Sequence, residues 1–121
     1  MSPTDNLRVK AYVAGHLPSI HSIHDVAREL GVSAQTLRKD FMRRERISLH
    51  DYITEQRIGR MQELLRNTDL SCMAVCLELG CREDTGARLF KQHTGVTMSQ
   101  FRTTSREKQK VSLSLRGVGR G

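Results

Sequence analysis

The strongest constraint on this chain is that it nearly repeats itself at a distance of 49 residues. Val26, Glu29, Leu30 and Gly31 recur as Val75, Glu78, Leu79 and Gly80. Thr36 recurs as Thr85 and Phe41 as Phe90, while Ala27 becomes Cys76, Lys39 becomes Arg88, Ser48 becomes Thr97 and Tyr52 becomes Phe101. The matched positions are small, apolar, turn-forming or cap-forming, which is what a duplicated structural unit keeps because they hold its backbone and core. Each copy reads as a short helix with a small residue, a glycine four positions later, and a second helix ending near a phenylalanine. The small residue lets two helices approach closely and the glycine lets the chain turn sharply between them, the composition of a helix-turn-helix. A generic helical hairpin is the plainer reading of one copy; it accounts poorly for two.

Apolar spacing predicts an all-α fold. Ile23, Val26, Ala27 and Leu30, and again Ile53, Ile58, Met61, Leu64 and Leu65, recur at helical rather than alternating intervals. The only prolines are Pro3 and Pro18, so nothing beyond residue 18 breaks a helix by that route. About seven helices are predicted, over 5–15, 23–30, 34–44, 49–66, 72–79, 84–93 and 98–104. Capping boxes are read at Ser22 with Asp25, Ser48 with Asp51 and Thr97 with Gln100, and single caps at Ser33 and Ser71. Gly31, Gly80 and Gly95 stand where helices should stop. The organisation expected is a first helix-turn-helix subdomain over 1–47, a linker helix over 48–66, a second subdomain over 67–104 and a flexible basic tail over 105–121. Val111–Leu115 alternates like a strand, yet one short strand has nothing to pair with.

The formal net charge of +7 over 121 residues suits a polyanionic partner such as nucleic acid or an anionic membrane surface. No apolar run is long enough to span a bilayer, and the N-terminus lacks the pattern of a signal peptide. Cys72, Cys76 and Cys81 are odd in number, which makes a poor disulfide framework and fits a reducing, cytoplasmic setting. No metalloprotease-type histidine pair, phosphate loop or paired-carboxylate constellation is present, so an enzyme is not expected and no cofactor is expected.

Several spaced segments together resemble the DNA-binding domain of the AraC/XylS family of bacterial transcription regulators. They are Val26-Ala-Arg-Glu-Leu-Gly-Val-Ser33, Leu37, Phe41, Tyr52, Arg57, Leu64-Leu65, Thr68-Asp-Leu-Ser71, Glu78-Leu-Gly80, Phe90-Lys91, Gly95, Thr97 and Phe101-Arg102. The resemblance covers roughly residues 7 to 102. It implies two homeodomain-like helix-turn-helix units joined by one long helix, and a sequence-specific regulator of transcription that binds double-stranded DNA as a monomer. RNA polymerase is a candidate second partner, no membrane is expected as one, and no small-molecule effector domain is expected in a chain of this length. The chain also departs from the family. Arg46 and Cys81 stand where glycine and phenylalanine are usual, Met98 replaces a proline, the Gly80–Phe90 segment is one residue shorter, and Gly86 falls inside the second recognition helix. These departures predict a second unit less regular than the first, with the first carrying most of the specific recognition.

In the first unit the helix over 34–44 should present Gln35, Arg38, Lys39 and Met42 on one face, with Leu37 and Phe41 turned to the core. Arginine suits guanine and glutamine suits adenine in the major groove, so Gln35, Arg38 and Lys39 are expected to read bases. Arg43, Arg44 and Ser33 are expected at phosphates. In the second unit Thr85 and Arg88 are the base-reading candidates and Arg82 and Lys91 the phosphate candidates, while Glu83 and Asp84 should mainly stabilise the helix start. The plainer reading of these charges is a solvated helix face. Two further readings remain. The three cysteines with His16, His21 or His24 could form a metal or redox site, although no Cys-x-x-Cys pair exists and free cysteine often packs as a small hydrophobe. A helical protein-interaction module is the other.

Overall fold

The computed structural model describes residues 5–108, and among them the protein is helical without a strand. The helices are α1 (Asn6–His16), α2 (Ile23–Leu30), α3 (Ala34–Glu45), α4 (Leu49–Asn67), α5 (Cys72–Glu78) and α6 (Glu83–Thr94), followed by α7 over 98–108. A short 3-10 turn, Leu17–Ser19, follows α1.

The start signals act as the sequence suggests except at Ser48, where only the hydroxyl half of the expected box forms and the Asp51 carboxylate lies 3.5 Å from His50 Nδ1 instead. The hydroxyls of Ser33, Ser48 and Ser71 accept the backbone N–H groups of Thr36, Asp51 and Ala74 at 3.0–3.1 Å. Thr97 and Gln100 form a complete reciprocal box, each side chain accepting the other's backbone N–H at 3.1 and 2.9 Å. At α2 the Asp25 carboxylate accepts from the backbone N–H of His21 at 2.8 Å and of Ser22 at 3.2 Å. The Ser22 N–H is among the orphan groups that a helix start leaves, and the His21 N–H lies one residue before it. The Asp25 carboxyl is held below its usual range chiefly by the His21 N–H.

The repeat is a repeat of structure. α3 and α6 have 12 residues each and begin 49 positions apart, so the irregularity expected of the second unit does not extend to helix length; it lies at the helix start, where Arg82 forms no side-chain cap. Both turns after the first helix place a glycine in the left-handed region, Gly31 and Gly80 at φ 71°. The next residue in each copy, Val32 and Cys81, donates its N–H to the carbonyl of Ala27 or Cys76 at 3.1 and 3.0 Å. After the second helix Arg46 and Gly95 again both take positive φ, 61° and 82°.

Packing explains why Gly86 is tolerated in mid-helix. A Cβ built there would lie 2.5 Å from Cys76 Sγ and 3.2 Å from its Cβ. The first unit buries Ala27 and Leu37 at the matching positions, so the second has exchanged small-plus-large for large-plus-small. The glycine costs helix propensity, but it makes room for a fully buried cysteine.

One helix serves both units. The N-terminal half of α4 closes the first through buried Leu49 and Ile53 and the Tyr52 ring, 5.2 Å from Phe41. Its C-terminal half supplies Ile58, Met61 and Leu65 to the second. α7 repeats the closing role: Met98 is buried and the Phe101 ring lies 5.5 Å from Phe90. Arginines tie each closing helix back to the segment that precedes the helix pair it closes. Arg57 donates to the carbonyls of Leu17 and Ile20. Arg102 donates to Leu65 O at 3.0 Å and Thr68 O at 3.2 Å. Arg106, 49 positions after Arg57, donates to Thr68 O at 3.1 Å and Asp69 Oδ1 at 2.8 Å. That anchor accounts for a correction: α7 does not stop at 104 but continues through 108, four residues into the stretch expected to be a flexible tail. Residues from 109 onward, including Val111–Leu115, lie outside the described residues.

Candidate nucleic-acid interface

The two helix-turn-helix units turn different faces of α3 and α6 to the core and to solvent. On α3, Leu37 and Phe41 are 0% and 1% exposed, while Gln35, Arg38, Lys39 and Met42 stand together on the open face. That division follows from helical geometry, since residues three and four apart share a face. Among the described residues, Arg38 and Lys39 form no ion pair or hydrogen bond, so their charges remain available to a partner. Arg43 and Arg44 are exposed in the last turn, Arg43 lying 3.1 Å from Asp40 Oδ1. Ser33 is differently placed from the expectation of a phosphate contact. Its hydroxyl accepts the Thr36 N–H and donates to Thr36 Oγ1 at 2.9 Å, so in the free protein it is committed to the cap.

On α6, Gly86 and Phe90 are buried, Thr85 is half-buried, and Arg88 and Lys91 are exposed. Arg88 and Lys91 border an open hollow of about 510 Å³, shared with Thr97 and Met98 at the start of α7. The helix start differs from that of α3. Arg82 occupies the place of Ser33 and makes no capping bond; its Nε lies 3.6 Å from Asp84 Oδ1. Asp84 instead accepts the Thr85 N–H at 2.9 Å. Glu83 and Asp84 thus bring two acids to the positive end of the α6 dipole, where they are favourable to the helix and unfavourable to phosphate.

Behind α3, a tie invisible to local patterning sets the charge at its exit. Glu45 Oε1 lies 2.5 Å from Lys10 Nζ, and Glu45 Oε2 accepts from Asn6 Nδ2 at 2.6 Å. Both partners are on α1, so they hold the end of the helix against the first helix of the chain. The Lys10 ammonium is held above its usual range mainly by that hydrogen bond to Glu45.

Each cysteine thiol meets a different partner. Cys76 is fully buried, its thiol pushed up to about 11 by burial, with Met98 Sδ at 3.8 Å. Cys72 Sγ faces Ser99 Oγ at 3.8 Å, and Cys81 Sγ faces Leu79 O at 3.7 Å. Among the described residues no group of three His, Cys, Asp or Glu side chains is arranged to hold a metal ion. None of the helices described is long and apolar enough to cross a membrane.

Two helix-turn-helix units sharing one long helix, each with an open basic face, define a DNA-binding domain by architecture. A helix-turn-helix domain family model matches residues 26–104. The chain is 31% identical over 105 residues to the Msm operon regulatory protein of Streptococcus mutans serotype c, covering 80% of this chain and 38% of that protein. It is 26% identical over 101 residues to the melibiose operon regulatory protein of Escherichia coli (strain K12), covering 83% of this chain and 33% of that protein. The DNA-binding domain of AdpA, a global transcriptional factor solved in complex with a target DNA, superposes with a TM-score of 0.82 at 20% identity, over 91% of this chain and 98% of that one. The C-terminal domain of AraT, a response regulator from Geobacillus stearothermophilus, gives 0.79 at 25% identity over 86% of each chain. The chain belongs to the AraC/XylS-type family of helix-turn-helix transcription regulators, a family of DNA-binding proteins and not of enzymes. The match spans 38% and 33% of the length of these two operon regulators.

Proposed function

We propose that this chain regulates transcription in the bacterial cytoplasm by binding an asymmetric double-stranded DNA site as a monomer, with α3 in one major groove and α6 in the next. The observation that carries the reading is the division of each second helix into a buried apolar face and an open face holding Arg38 and Lys39 or Arg88 and Lys91. Gln35, Arg38 and Lys39 read bases in the first segment, and Thr85 and Arg88 in the second. Arg43, Arg44, Arg82 and Lys91 meet phosphates, and Ser33 joins them only where its cap opens. RNA polymerase is a further partner where the protein activates; that contact would fall outside α3 and α6.

The shared helix shapes the complex. α4 has 19 residues and is about 28 Å long at 1.5 Å per residue. Major grooves on one face of straight DNA recur about every 34–36 Å. Seating both units therefore favours a bent duplex, at a deformation cost on the order of 1–6 kcal/mol.

The test begins with selection of bound duplexes from a random DNA pool. On the selected site Arg38→Ala is expected to cost about 1–3 kcal/mol of affinity and to relax specificity at one base pair. Arg88→Ala is expected to cost less, in the other half of the site. Wild-type affinity in both variants at moderate salt would sink the base-reading assignment.

A further inference from the structure

Among the described residues the backbone enters the left-handed region four times, at Gly31, Arg46, Gly80 and Gly95. Glycine adopts that conformation freely, whereas a residue with a Cβ is strained there by its own carbonyl. Arg46 is the exception, and the turn does not demand it: its repeat counterpart ends α6 as Gly95 in the same conformation. Nor does the free protein gain from the side chain. Arg46 is exposed, and its guanidinium makes no hydrogen bond or ion pair with any described residue.

Its neighbours along the chain are basic. Arg43 and Arg44 occupy the last turn of α3 just before it, with Arg43 3.1 Å from Asp40 Oδ1. Glu45, the acid between Arg44 and Arg46, is drawn onto α1 by Lys10 and Asn6. Favourable interaction with the helix dipole accounts for basic residues in the last turn. It does not account for a strained one just past it when α6 manages with glycine.

We infer that Arg46 binds a backbone phosphate oxygen of the bound duplex, completing a guanidinium cluster with Arg43 and Arg44 at the exit of α3. The planar fork of a guanidinium matches a phosphate in two parallel hydrogen bonds. The inference rests on the DNA-binding reading above, and it adds an arginine contact to the DNA backbone with no counterpart in the second unit, where Gln92, His93 and Gly95 stand at the matching positions.

The experiment sets stability against affinity, using the full chain and a random-sequence duplex of about 30 base pairs at several chloride concentrations. Arg46→Gly should raise the Tm by about 2–5 °C because strain is relieved. It should also weaken binding about fivefold near 0.15 M salt and reduce the log–log salt slope by about one. Arg46→Lys should keep the slope. Inorganic phosphate at matched ionic strength should leave the difference between wild type and Arg46→Gly intact; abolition of that difference would assign the residue to a free anion and overturn the inference. An unchanged slope in Arg46→Gly, or a lowered Tm, overturns it as well. Wild-type protein that shows no salt-dependent binding to this duplex would instead remove the DNA reading itself.

Discussion

At matching positions the first unit buries Ala27 and Leu37 and the second buries Cys76 and Gly86. At the helix start the first has Ser33 with a hydroxyl cap and the second has Arg82 without one. At the helix exit the first has Arg46 and the second Gly95. Backbone and register are common to both, so the differences show which properties the fold fixes and which it leaves to side chains. The fold fixes the glycine turn, the buried phenylalanine and the closing aromatic. It leaves open the cap, the volume of the inner contact and the charge at either end of the recognition helix. Those last are the properties a DNA partner would sense.

The comparison breaks most readily at the phenylalanines. Phe41→Ala and Phe90→Ala should each cost about 3–5 kcal/mol, because both rings are fully buried against an aromatic partner. Urea unfolding of both variants should remain a single transition, since α4 belongs to both units; two separated transitions in either would mean the units fold apart.

Next in size is the inner contact. Gly86→Ala should destabilise by about 1–3 kcal/mol, although alanine is the better helix former, because its Cβ meets Cys76. Adding Cys76→Ala should recover much of the loss, and purely additive effects would show that the two positions do not share space. The caps offer a smaller contrast. Ser33→Ala should cost about 1 kcal/mol, and Arg82→Ser should gain a comparable or smaller amount, both read from urea midpoints. A null result for Arg82→Ser would mean that Asp84 already satisfies the start of α6.

The smallest effect concerns acid. Asp25 has no counterpart in the second unit, where Ala74 stands in its place. Its folded pKa is depressed, first by the His21 N–H. A depressed carboxyl contributes stability above the unfolded value, about 3.9, and that contribution disappears as pH falls through the folded pKa. The stability gap between wild type and Asp25→Asn should therefore narrow below about pH 4; a gap independent of pH would dissociate Asp25 from the acid limb.

Much of this architecture is legible in the sequence because its signals are local. Ser33, Ser48, Ser71 and Thr97 cap the helices they precede, and Gly31, Gly80 and Gly95 mark the turns and ends. Periodicity also separates Leu37 and Phe41 from Gln35, Arg38 and Lys39, so the open face of α3 could be drawn in advance. What escaped is non-local. Arg57, Arg102 and Arg106 are held by carbonyls more than thirty residues away, and no periodicity marks such a bond. The extension of α7 depends on one of them. Gly86 looked like a flaw in a helix because its neighbour Cys76 belongs to another. The left-handed Arg46 was visible as a substitution for a usual glycine, but its conformation required the backbone.

The shared helix has a consequence for anyone who would dissect the molecule with a restriction site or a protease. A cut after α4 leaves Ile58, Met61 and Leu65 facing water, and a cut before it strips Phe41 of Tyr52 and leaves the first three helices open. The two halves that would read DNA are therefore not two halves that can live apart. Expressed singly, each should be a substrate for degradation rather than a smaller regulator.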